Sequence, residues 1–230
     1  MYKTLKENVL NANKSLKDYH LVIFTWGNVS TINPERNAIC IKPSGVSYDK
    51  MSAEDMVVLD LEGNVLEGDL KPSVDLPTHL ELYRKFPEIG SIVHTHSPYA
   101  TAWAQNGRSI PVYGTTHADY FCGEVPCARI LESAELDEYE KNTGKVLIEA
   151  IVDPLKVPAC IAAGHGAFAW GRNPEEAVFN AVVLEEIAKM ALLTEVIPGN
   201  TNPLPDYILD KHFQRKHGKN ATYGQNGPKK

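Results

Sequence analysis

The chain has 230 residues, a formal net charge of −6 and 43% hydrophobic residues, which suits a single domain with a substantial core. That balance excludes a general nucleic-acid binder, and no window reaches the ~20 apolar residues of a membrane span. The charged, amphipathic start MYKTLKENVLNANKSL has no apolar core of an export signal, and Cys40, Cys122, Cys127 and Cys160 form no C-x-x-C pair, so the reading is a cytoplasmic protein with free thiols.

Leu5, Val9, Ala12 and Leu16 are spaced for an opening helix. NAICIK and MVVLDL read as strands, the second followed by the turn EGN. LPTHLELYRKF reads as a helix with Pro77 in its first turn. SIVHTHSPYA, residues 91–100, reads as a buried strand into which two histidines are set. ESAELDEYEKNTGKVLIEAIV reads as one helix, and VPACIAAGHGAFAWG as strands joined by a tight turn. NPEEAVFNAVVLEEIAKMALLTEV is a long helix with Asn173 as N-cap, Pro174 at N1 and acids in the first turn. The chain shows no linker or repeat, so residues 1–230 form one domain with a mobile tail after about 225. Pattern alone leaves α/β and α+β topologies open.

The two histidines raise the functional question. Alternate side chains on a strand share a face, so His94 and His96 lie side by side. Neighbouring imidazoles repel when protonated, and a shared metal ion would explain the pair. The spacing H-x-H is a weak signal by itself, and ordinary packing is the alternative. His165 in AAGHGAFAWG is a candidate third ligand, with Gly164 and Gly166 permitting close backbone approach. Asp75 is a candidate fourth, although alone it fits a helix N-cap. His79 reads as a helix-surface or packing residue, and His20, His212 and His217 lack metal-like spacing.

Two stretches suit an anion. TWGNVS carries Gly27 and Asn28, and IKPSG carries Lys42, Ser44 and Gly45. Backbone N–H groups, a hydroxyl and an ammonium together suit phosphate. Taken singly, both stretches also fit plain turns. Neither is a Walker loop, and GHGAFAWG has Ala169 where a dinucleotide fingerprint needs its third glycine.

The ordered set TWGNVS, IKPSGV, KPSVDLPTH, IVHTH, GTTHADYF, GHGAFAWG and DKHFQRKHG…YGQ closely resembles the L-ribulose-5-phosphate 4-epimerases of the class II aldolase family. The resemblance runs from about residue 5 to Gln225. It implies an α/β, three-layer fold with a central, mainly antiparallel sheet flanked by helices. It places Asp75, His94, His96 and His165 on the metal-ligand positions. The implied ion is Zn2+, or another divalent metal such as Mn2+ or Co2+, one per subunit. It places Gly27, Asn28, Lys42, Ser44, Gly45 and Ser73 at the substrate phosphate. Val74 stands where the epimerases usually have a second serine, so one hydroxyl donor is missing and only a backbone N–H remains. Asp119 and Tyr223 match the catalytic acid/base pair, and Thr115, His212 and Arg215 match positions nearby.

The implied chemistry is a retro-aldol reaction. The C4 hydrogen of a 2-ketose phosphate is not acidified by the C2 carbonyl, so simple deprotonation cannot invert C4. Removal of the C4 hydroxyl proton instead breaks the C3–C4 bond, leaving an enediolate and glycolaldehyde phosphate. The aldehyde turns its other face and the bond reforms. A divalent ion would act as the Lewis acid, and Asp119 and Tyr223 would move the protons. Small-molecule pentulose phosphates are the implied substrates, in L-arabinose or related pentose catabolism. Two rivals stand beside this reading. Aldolases of the fuculose-1-phosphate type usually carry glutamate in place of Asp75, and a non-catalytic sugar-phosphate binder would not need Asp119 or Tyr223. The family further implies a homotetramer with sites between subunits, and no nucleic-acid or membrane partner.

Overall fold

The computed structural model describes residues 2–219, 221 and 222. Among the described residues, eight strands form one sheet. They are β1 (Asn28–Ile32), β2 (Ile39–Ile41), β3 (Val57–Leu59), β4 (Val65–Glu67), β5 (Ser91–Thr95), β6 (Cys127–Ala128), β7 (Ala159–Ala162) and β8 (Gly166–Gly171). Their order is β4-β3-β2-β1-β5-β8-β7-β6. Every neighbouring pair is antiparallel except β6 with β7. Strands β1, β5 and β8, where the predicted site residues cluster, therefore lie together at the centre.

The α-helices are α1 (Lys3–Asp18), α2 (Leu76–Lys85), α3 (Pro98–Asn106), α4 (Thr115–Ala118), α5 (Tyr139–Ala150), α6 (Pro174–Val196) and α7 (Asp206–His217). Alternation along the strands divides the core into layers. Val29, Val93, Ala167 and Ala169 pack with residues of α1, α3 and α6 on one face. Ile92, Phe168 and Trp170 pack with Leu80 of α2 and Leu147 of α5 on the other. A smaller cluster, including Val9, Cys40, Tyr48, Met56 and Val58, closes the core beside α1.

Several predicted elements appear where the pattern put them. The Asn173 side chain caps α6 by accepting from the Glu176 N–H at 2.8 Å. The opening helix buries Val9, Ala12 and Leu16. The predicted single helix over 132–152 is corrected: residues Ser133–Glu138 form a 3-10 helix, and α5 begins only at Tyr139. A capping box between Glu132 and Glu135 starts the first piece independently, so the two are separate units. The predicted tail after about 225 lies outside the described residues. Asn13 fixes α1 against the sheet. Its amide donates to the Val29 carbonyl at 3.2 Å and its oxygen accepts from the Val29 N–H at 2.9 Å. That clamp holds the start of β1, immediately after Asn28. The N-terminus of α3 is capped from α6, where the buried Glu185 carboxylate accepts from the N–H groups of Tyr99 and Ala100, both at 2.9 Å.

Candidate active site

Pairing across β1, β5 and β8 puts Asn28, His94 and Phe168 opposite one another in adjacent strands. His94 stacks on Phe168 with centroids 4.3 Å apart. His96 lies just beyond the end of β5, and His165 just before β8. One potential ligand atom from each of His94, His96 and His165 lies within 4.8 Å of the others. Gly166 makes this convergence possible. A Cβ there would sit 2.8 Å from the Thr95 carbonyl oxygen and 3.3 Å from the His94 ring.

The hydrogen bonds define the state of these rings. His94 Nδ1 lies 3.0 Å from the Ala167 carbonyl. A carbonyl only accepts, so Nδ1 carries the proton and the neutral ring has its lone pair on Nε2. That Nε2 is 3.0 Å from His96 Nε2. Burial pushes His94 down to about 3, assisted by the His165 and His96 rings, with Asp75 working the other way. Burial also lowers His96 and His165. The cluster is thus a set of neutral imidazoles near pH 7. Such a donor set fits a divalent ion of intermediate softness, whose bonds would replace the proton shared between the two Nε2 atoms. His165 Nδ1 is buried and has no hydrogen-bond partner among the described residues.

Asp75 and the three histidines border one cavity. Asp75 occupies the N-cap position of α2, but its side chain makes no capping hydrogen bond. Asp75 Oδ2 instead accepts from Asn28 Nδ2 at 2.7 Å and from Ser73 Oγ at 3.2 Å. The carboxylate is not within the close three-imidazole group. Asn28 therefore touches both Asp75 and Ser73, and its own Oδ1 is buried without a partner among the described residues.

Gly27, Lys42, Ser44, Gly45, Ser73 and Val74 line the same cavity of about 560 Å3. Lys42 is 2% exposed, and its ammonium donates to the carbonyls of Thr25 at 3.2 Å and Pro43 at 3.4 Å. Burial pushes its pKa down to about 8, with Asp75 opposing. A buried ammonium beside exposed Ser44 and Gly45 suits an anion. Val74 is 64% exposed at the cavity wall.

Asp119 lies elsewhere. It follows α4 and is not among the described residues lining the imidazole cavity. Arg215 of α7 holds it in a two-point contact, Nε to Oδ1 at 2.9 Å and Nη2 to Oδ2 at 2.6 Å. His212 Nδ1 also reaches Oδ1 at 2.9 Å. Burial raises its pKa, but the Arg215 and His212 hydrogen bonds prevail and hold the carboxyl below its usual range. Thr115 begins α4 and is exposed. Tyr223 lies outside the described residues.

The sequence reading missed parts of this site. Trp26, Tyr139 and Glu140 also line the cavity, and the Tyr139 ring tilts against His165 with centroids 5.9 Å apart. The α5 start that delivers Tyr139 and Glu140 was hidden in the longer predicted helix. Of the two alternatives for His79, packing holds. The residue is fully buried, bonded through Nδ1 to Ser30 Oγ at 2.7 Å, and pushed by burial to about 4.

A central, mainly antiparallel sheet lies between helical layers and opens on converging imidazoles and a buried lysine. The description "Class II Aldolase and Adducin N-terminal domain" matches residues 7–192, and the chain belongs to the class II aldolase family. The family is divalent-metal dependent, and the three imidazoles are a possible site for that ion.

The chain is 55% identical over 224 residues to the L-ribulose-5-phosphate 4-epimerase UlaF of Salmonella paratyphi C, covering 96% of this chain and 98% of that protein. The UlaF protein of Salmonella typhi is 54% identical over the same shares. Among solved structures, an L-fuculose 1-phosphate aldolase superposes with a TM-score of 0.79 at 27% identity, covering 92% of this chain and 95% of that one. The L-fuculose-1-phosphate aldolase of Thermus thermophilus gives 0.68 at 27% identity, covering 85% and 97%. No helix among the described residues is long and apolar enough to cross a membrane.

Proposed function

We propose that this protein is an L-ribulose-5-phosphate 4-epimerase, interconverting L-ribulose 5-phosphate and D-xylulose 5-phosphate in the cytoplasm as a step of pentose catabolism. The carrying observation is near-full-length similarity, at 55% identity, to proteins named for that activity. The cavity geometry supports it: an imidazole group that suits a cation stands beside a buried lysine that suits a phosphate.

In this reading His94, His96 and His165 hold a divalent ion, zinc above manganese or cobalt, with Asp75 as a further ligand. Held there, the ion would supply Lewis acidity for cleavage of the C3–C4 bond. Lys42, Asn28, Ser44 and Ser73 bind the phosphate, aided by the Gly27, Gly45 and Val74 backbone. Their grip retains glycolaldehyde phosphate while it turns between bond cleavage and re-formation. Release at that moment would make the enzyme an aldolase. Asp119 and Tyr223 accept the C4 hydroxyl proton on one face and donate it on the other.

The separation of Asp119 from the imidazoles within one chain supports a site shared between subunits of a homotetramer. Exposed Leu193, Val196 and Ile197 at the end of α6 suit such packing. A coupled assay for D-xylulose 5-phosphate, run beside an assay for free aldehyde, tests the reading. Epimer formation without aldehyde is expected. Stoichiometric release of aldehyde would make the protein an aldolase instead.

A further inference from the structure

Tyr48, which no predicted site residue includes, touches both halves of the anion cavity. It is 3% exposed and packs with Cys40, Met56 and Val58 in the cluster beside α1. Its hydroxyl donates toward two successive carbonyls, Trp26 at 2.7 Å and Gly27 at 2.9 Å. The Lys42 ammonium lies 5.0 Å from its ring centroid. One buried side chain therefore contacts the backbone of the first anion-site stretch and the cation of the second.

Both contacts matter physically. Gly27 has φ +74°, and a Cβ there would lie 2.8 Å from the His94 carbonyl. The turn is therefore open to glycine's wide conformational range, and its own sterics do not fix it. A hydroxyl anchored in a packed core removes that freedom. The next residue is Asn28, whose amide holds Ser73 and Asp75. The ring acts differently on Lys42. Its π face attracts the ammonium without neutralising it, whereas a carboxylate partner would compete with an incoming anion.

We propose that Tyr48 is a positioning residue of the phosphate site, its hydroxyl fixing the Trp26–Gly27 turn and its ring fixing the Lys42 ammonium, so that a substrate phosphate meets both together. The inference rests on reading the cavity as a sugar-phosphate site. Tyr48 does not touch the reacting carbons, so its effect falls on binding.

The test compares Tyr48→Phe and Tyr48→Leu with the wild type in the metal-loaded protein. Tyr48→Phe keeps the ring and the packing and removes only the hydroxyl. It is expected to raise KM for L-ribulose 5-phosphate about tenfold, the scale of one lost buried hydrogen bond, while kcat stays within about twofold. The inhibition constant of inorganic phosphate is expected to rise by a similar factor, with metal content unchanged. Tyr48→Leu removes the ring as well and is expected to raise both constants further. A role in stability alone would lower the melting temperature and leave KM and the phosphate constant unmoved, which would overturn the proposal. Should Tyr48→Leu fail to fold, Tyr48→Phe decides. Direct calorimetric titration with inorganic phosphate separates this proposal from the epimerase reading. If the wild type turned over no L-ribulose 5-phosphate, that reading would fall, and equal phosphate affinity in wild type and Tyr48→Phe would still overturn the role of Tyr48.

Discussion

His94 and Asp119 are both nearly inaccessible, at 1% and 8% exposed, but their surroundings drive them to opposite charge states. His94 sits on a central strand among other imidazoles and an aromatic ring, and burial keeps its ring neutral. Asp119 sits against α7, where burial is outweighed by Arg215 and His212 and the carboxylate stays charged. The strand region is a rigid set of neutral donors suited to a cation. The helical region is an anion already satisfied by cations of its own chain. A metal site needs the former, because ligands must arrive deprotonated. A proton-transfer group can be of the latter kind when its guanidinium and imidazole neighbours orient it.

That contrast gives a ranked set of tests. The largest effect is expected from His96→Asn. Losing a ligand should lower activity by more than ~100-fold, beyond the range typical for outer-shell partners, and the bound metal should fall with it. Metal analysis beside turnover checks this, and an active, metal-free variant would remove the strand region from catalysis. Asp119→Asn comes next. It should lower kcat by about 10²- to 10⁴-fold and leave the metal in place, because Asp119 stands apart from the imidazoles. Parallel loss of metal would erase the distinction between the two regions.

Co-expression sharpens the same contrast. His96→Asn and Tyr223→Phe, each inactive alone, should regain partial activity in mixed tetramers, below about half of wild type, if each site joins two chains. Verified mixed tetramers without recovery would place both regions in one subunit.

Smaller effects belong to the phosphate side. Lys42→Met should raise KM by about 10- to 100-fold, corresponding to a lost charge-assisted contact of roughly 1.5–3 kcal/mol. A steady-state titration reads it, and an unchanged KM would exclude Lys42 from substrate contact. The mildest test is pH. Lys42 is depressed to about 8 by burial, so its charged form is lost as pH rises through that value. kcat/KM should fall by up to about tenfold per unit above pH 8, since it reports groups of the free enzyme. Lys42→Arg, which keeps its charge, should remove that alkaline limb if the variant still binds. For folding stability the sign is opposite: folded Lys42 binds fewer protons than unfolded lysine between about 8 and 10.5, so stability from this group rises with pH there.

Some of the architecture could be read directly from local pattern. α6 declares itself through Asn173, Pro174 and its acids, and β5 through its apolar run. The imidazole group was legible because H-x-H and a histidine between glycines are local signals. The 3-10 helix before α5 was not, because acidic residues continue evenly across its boundary. Nor was α3, whose start is capped by Glu185 from the distant α6. Asp75 shows the limit most clearly. Its sequence position is that of an N-cap, and only the folded chain, with Ser73 bonded to Lys42 beside β1, brings Asn28 close enough to take its side chain elsewhere. His79 likewise becomes a core residue only once Ser30 of β1 lies beside α2.

The central placement of β1, β5 and β8 also bears on how the protein matures. During synthesis His94 and His96 emerge long before His165, and β5 must wait for β8 before the third imidazole joins them. An H-x-H pair on an unfinished chain is a loose, undiscriminating chelate. Only the closed sheet brings the three imidazoles together, so a full donor set for an ion exists only once β8 has paired. An ion bound selectively by the native chain then opposes unfolding, by about 2.7 kcal/mol at a free concentration one hundred times its dissociation constant. Metal supply would thus shift the folding equilibrium as well as turnover.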